Sequence, residues 1–97
     1  MADKYNVTWT QEAKYQVDQI LIYLRENWSQ KECDDFLDLL IHFENTIAQF
    51  PKSFKASSKF KNCRLGFVHR HITAVYKLKR KTITVLTVID NRSKVEK

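Results

Sequence analysis

The hydrophobic period of the chain changes once, at Pro51, and that change constrains the fold more than any other feature. Ahead of it, Ala13, Val17, Ile20, Leu21, Leu24 and Trp28 recur at spacings of three and four, as do Cys33, Phe36, Leu40, Phe43, Ile47 and Phe50. That is the pattern of two helices that each bury one face, and both stripes read as core. Thr10 is placed to cap the first helix, and Ser29 to Glu32 have the form of a capping box for the second. Pro51 ends it, because the ring disfavours helical backbone at the residue before it. Two helices joined with almost no loop predict an antiparallel hairpin.

Beyond Pro51 the period becomes that of strands. Residues 51–62 have no period and carry four lysines, which predicts a basic loop. Arg64 to His69 is a first apolar-rich run. Ile72, Ala74, Tyr76 and Leu78 then alternate with Thr73, Val75 and Lys77. Lys79-Arg80-Lys81 is a polar turn, and Thr82 to Ile89 is rich in β-branched residues. Near the start, Tyr5, Val7 and Trp9 alternate with polar neighbours as a short strand does. The predicted order is β-α-α-β-β-β, an α+β fold with the helix hairpin on one face of a small, mostly antiparallel sheet. With 97 residues, one Gly and one Pro, residues 1–97 are expected to form a single domain without linkers or low-complexity tracts.

No apolar run approaches the roughly 20 residues that cross a bilayer, and no leader pattern is present, so a cytoplasmic protein is expected. Cys33 and Cys63 are too few for a disulfide framework or a zinc site and read as two small apolar residues. The formal net charge of +6 conceals a sharper asymmetry. Residues 1–50 hold four Lys and Arg against nine Asp and Glu, a balance of −5, whereas residues 51–97 hold thirteen against two, a balance of +11. A second half of that character predicts an interaction surface for an anionic partner, either nucleic acid or an acidic protein.

Several segments, in this order, resemble the ParE/RelE superfamily, the toxins of bacterial type II toxin–antitoxin pairs. Tyr5-Asn-Val-Thr-Trp-Thr-Gln-Glu-Ala13 is similar to the family's first strand and helix start, and Ile20 to Trp28 to the end of its first helix. Phe50-Pro51 resembles the close of its second helix, Ala74-Val75-Tyr76-Lys77-Leu78 its Tyr-bearing third strand, and Val88-Ile89-Asp90-Asn91-Arg92 its terminal strand and closing Arg. The spacing is closer to the ParE-like, plasmid-stabilisation branch. That resemblance implies a toxin that inhibits an essential enzyme, DNA gyrase, and is neutralised by a cognate acidic antitoxin, with no cofactor and no membrane. The alternatives are a RelE-like endoribonuclease that cuts messenger RNA on the ribosome, and a degenerate member that binds its antitoxin but poisons nothing.

The residues bear on that choice. RNA cleavage needs a base for the 2′-hydroxyl, cations for the phosphate and an acid for the leaving oxygen. By the resemblance, Arg64 matches a basic position on the nuclease branch's second strand, and Arg92 matches its closing Arg. Thr73 stands where a middle Arg is expected, and no Tyr or His follows Arg92 in Ser93–Lys97. Thr has neither the charge nor the forked donors of Arg. His69 and His71 are the remaining nuclease candidates. Two residues apart on a strand they point to one side, as an acid–base pair can, with Arg70 facing the other way. The plainer reading makes them polar residues at a sheet rim. They lack a third ligand for a metal. His42, between Leu40 and Phe43, reads as structural or exposed. Candidates for contact with target or antitoxin are Arg64, Arg70, Tyr76, Lys77 and Arg92.

Overall fold

Thr10 makes the first fixed joint. In the computed structural model, which describes residues 4–91, its hydroxyl accepts from the Ala13 amide at 3.0 Å and donates to the Leu86 carbonyl at 2.7 Å. One side chain thus caps α1 (Gln11–Asn27) and ties its start to β4 (Thr82–Asp90). Ser29 caps α2 (Gln30–Gln49) by accepting from the Glu32 amide. The helices form the expected hairpin, and the order β-α-α-β-β-β is as read from the sequence, with β1 (Asn6–Trp9), β2 (Arg64–His69) and β3 (Ile72–Lys79) completing it.

The sheet runs β1-β4-β3-β2. Its last three strands are an antiparallel meander, whereas β1 lies parallel to β4, with Val7 opposite Ile83 and Trp9 opposite Val85. α1 lies against β4 and α2 against β2. Ile20, Leu24, Phe36, Phe43 and Ile47 from the helices meet Ile72, Ala74, Tyr76, Ile83, Val85 and Val88 from the strands in one buried cluster. The alternation along β3 sends Thr73, Val75 and Lys77 to the opposite face. Thr73 and Val75 are nonetheless buried there.

Two stripe residues depart from the inward reading. Trp28 is 62% exposed and Phe50 63%. Each is the C-cap of its helix with non-helical backbone, so helical periodicity no longer sets its direction.

At Gly66 an added Cβ would stand 2.9 Å from Phe43 Cζ, so only glycine lets α2 lie this close to β2. Phe43, Phe54 and Tyr76 gather above it with ring centroids 5.7 to 6.4 Å apart. Through Phe54 this group holds the basic 51–62 loop onto the core. Both cysteines are buried and unpaired with each other, as expected of small apolar residues. No helix among the described residues is long and apolar enough to cross a membrane.

Candidate functional site

The two edges of β3 do not end together. On one side it pairs with β4 as far as Lys79, while on the other β2 begins only at Arg64, opposite Tyr76. Just before β2 the chain turns away, with Asn62 in left-handed backbone at φ 63°. Lys77, Leu78 and Lys79 therefore run on past their neighbour. The 51–62 loop passes outside them and leaves a notch of about 650 Å³. Lys52, Arg64, Lys77 and Lys79 line it, with Ser57 and Asn62, and among the described residues no carboxylate lines it. Four cations around one concavity concentrate the field there and attract an anion.

Three bonds hold the outer wall in place. Arg64 donates from Nη1 to the Phe54 carbonyl at 2.6 Å, the Leu65 amide donates to the Lys55 carbonyl at 3.1 Å, and the Tyr76 hydroxyl donates to the Pro51 carbonyl at 2.6 Å. Burial pushes the Tyr76 phenol above its ordinary pKa, with the Arg64 charge and a Phe54 backbone hydrogen bond pulling the other way. Tyr76 has no exposed surface. It shapes the notch from within and offers a partner no contact surface.

The remaining candidates lie elsewhere. His69 ends β2, while Arg70 and His71 form the turn to β3. The imidazoles do come together, with centroids 5.7 Å apart and the His71 amide donating to His69 Nδ1 at 3.3 Å. They do so at a hairpin tip and not along a strand, and Arg70 lines the same cleft as both of them, contrary to the expectation that it faces away. Five strand steps of about 3.3 Å put His69 roughly 16 Å along β2 from Arg64. Thr73, at the position of the expected middle Arg, is buried and accepts from Asn91 Nδ2 at 3.2 Å. His42 is exposed on α2. Arg92 lies outside the described residues. Among the described residues no cluster of three or more His, Cys, Asp or Glu could hold a metal.

Sequence reasoning missed Lys52 and Lys79 as members of one site. The four lysines of the loop were a signal, but their meeting with β3 depends on the turn at Asn62.

Solved structures with this arrangement decide the fold. A chain of the chromosomal ParDE toxin–antitoxin system of Pseudomonas aeruginosa superposes with a TM-score of 0.77 at 15% identity, over 92% of this chain and 98% of that one. The fold is that of the ParE/RelE toxins. A chain of the Escherichia coli DinJ–YafQ toxin–antitoxin complex matches at TM-score 0.64 and 9% identity, over 93% of this chain and 96% of that one. The conserved hypothetical protein HP0894 of Helicobacter pylori matches at 0.58 and 16%, over 87% and 91%. No protein-family model and no curated protein sequence matches the chain. The likeness to the ParE/RelE fold therefore lies in three-dimensional arrangement, carried by sequences that share few residues.

Proposed function

We propose that residues 1–97 form a single ParE-like toxin domain of a type II toxin–antitoxin pair, acting in the cytoplasm by binding and inhibiting an essential enzyme, DNA gyrase, and neutralised by an acidic antitoxin. The separation along β2 carries this reading. The cations of the notch stand at the Arg64 end and the two imidazoles of the hairpin, His69 and His71, at the other. A ribonuclease that uses both would need them around one phosphate, within hydrogen-bond reach of the reacting atoms. Thr73 adds no charge between them. The basic notch supports a partner that is held, and the halves' opposed charges favour an acidic one.

The test has two arms. Purified protein added to gyrase is expected to block supercoiling of relaxed plasmid. Added to a translating extract, it is expected to leave mapped transcripts uncut. Codon-specific cuts that disappear in His71→Ala or Arg64→Ala would replace this reading with the RelE-like one. Absence of both effects, together with growth unaffected by expression, would leave only the degenerate, non-toxic reading.

A further inference from the structure

A second cleft, of about 610 Å³, opens at the far end of the sheet, where the β2–β3 hairpin meets the turn between the helices. Its floor is apolar, built from Ile20, Leu24, Phe36 and Ile72. Trp28 stands at it with most of its surface in solvent. One wall carries His69, Arg70 and His71, and the other carries Glu32 and Asp35. Asp35 is engaged by Lys31 at 3.0 Å, and Arg70 takes part in no ion pair among the described residues. None of these groups is used by the function proposed above.

The notch and the cleft differ in what they can supply. Rim charges such as those of the notch chiefly set association rate and salt sensitivity. Affinity for a protein segment comes from large apolar anchors sunk into a dry pocket, with Trp and Arg prominent around it. The cleft has that composition, and its volume falls in the range of about 300–1,000 Å³ that encloses a ligand's apolar groups.

We propose that this cleft is the anchor site for the acidic antitoxin: it receives large apolar side chains of one antitoxin segment and places a neighbouring carboxylate of that segment on Arg70. The assignment rests on the toxin–antitoxin reading. Charge complementarity fixes the orientation, because Glu32 repels an acid from the helix wall while the Arg70 guanidinium attracts it on the hairpin wall. The same segment reaches the basic notch if it spans about 16 Å, the length of β2, which takes roughly five extended residues or eleven helical ones.

The experiment titrates the unaltered protein and its variants with the purified antitoxin encoded beside it. Trp28→Ala and Arg70→Glu are each expected to weaken binding at least about ten-fold. Both side chains are exposed, so the melting temperature should not move. Tyr15→Ala removes another exposed aromatic, one that does not line the cleft, and should leave affinity unchanged. Affinities for Trp28→Ala and Arg70→Glu within about two-fold of the unaltered protein would overturn the anchor site and leave the toxin reading standing. No binding by the unaltered protein would overturn that reading, and the anchor site with it.

Discussion

The Tyr76 hydroxyl and the Pro51 carbonyl meet at 2.6 Å in the interior, across 25 residues of sequence. Tyr76 is on the central strand β3, and Pro51 opens the basic loop, so this bond sets where the loop's lysines stand. Tyr76→Phe keeps the ring and its packing but leaves a buried carbonyl without a donor. A loss of about 1–3 kcal/mol is expected in denaturant unfolding at neutral pH. The pH dependence gives a second signature. With its pKa raised by burial, the folded protein keeps a proton that the unfolded chain gives up. The resulting stability is complete below about pH 10 and is lost as pH climbs above it. Phe has no proton to lose. The difference between the two proteins should therefore narrow from pH 10 upward, and a constant difference would show that the phenol is not buried as described.

Thr10 and Leu86 form the matching joint at the other side of the sheet. Val75 pairs with Thr87 and Tyr76 with Val85, so Leu86 is an extra residue in β4. A bulge of this kind leaves the local ladder incomplete. Here the Leu86 carbonyl accepts from the Thr10 hydroxyl. Thr10→Ala removes both the helix cap and the bulge's partner, and a cost of about 1–3 kcal/mol is expected. Thr10→Ser keeps the oxygen and should recover most of it. Thermal unfolding of the two variants checks this, and equal losses would assign the effect to the methyl group instead.

Much of this arrangement was legible in the residues. Helices and strands announced themselves by period, because each must bury one face, and Thr10, Ser29 and Pro51 marked boundaries by local chemistry. What depends on distant partners was not legible. Alternation in Val7 and Trp9 shows that a strand exists, but not that its neighbour is β4, some 75 residues on, in parallel. Trp28 and Phe50 keep the spacing of their stripes yet sit at caps, where the backbone has left the helix. His69 and His71 are spaced as strand neighbours, but a two-residue turn takes His71 off the ladder. The candidate site suffered most. Arg64 and Lys77 were identified singly, while Lys52 and Lys79 join them only because the chain turns at Asn62 and Tyr76 holds Pro51.

The notch can be separated from its scaffold by choosing which cations to change. Lys77 and Lys79 are exposed on β3 and make no hydrogen bond that supports the loop. Lys77→Glu with Lys79→Glu reverses the local field while leaving the wall intact. Association with an acidic partner should slow at least about ten-fold at low ionic strength. The deficit should shrink as salt rises toward 0.5 M and screening shortens the reach of the field. Melting temperature should stay nearly constant. Arg64 differs because its guanidinium is half-buried and holds the Phe54 carbonyl. Arg64→Ala removes a charge-assisted bond and is expected to cost about 1.5–3 kcal/mol of stability as well as slowing association. Stopped-flow association at two salt concentrations, read beside thermal unfolding, distinguishes the two cases. If the lysine pair slows association equally at both concentrations, the notch does not act through its field, and contact at those side chains must be doing the binding.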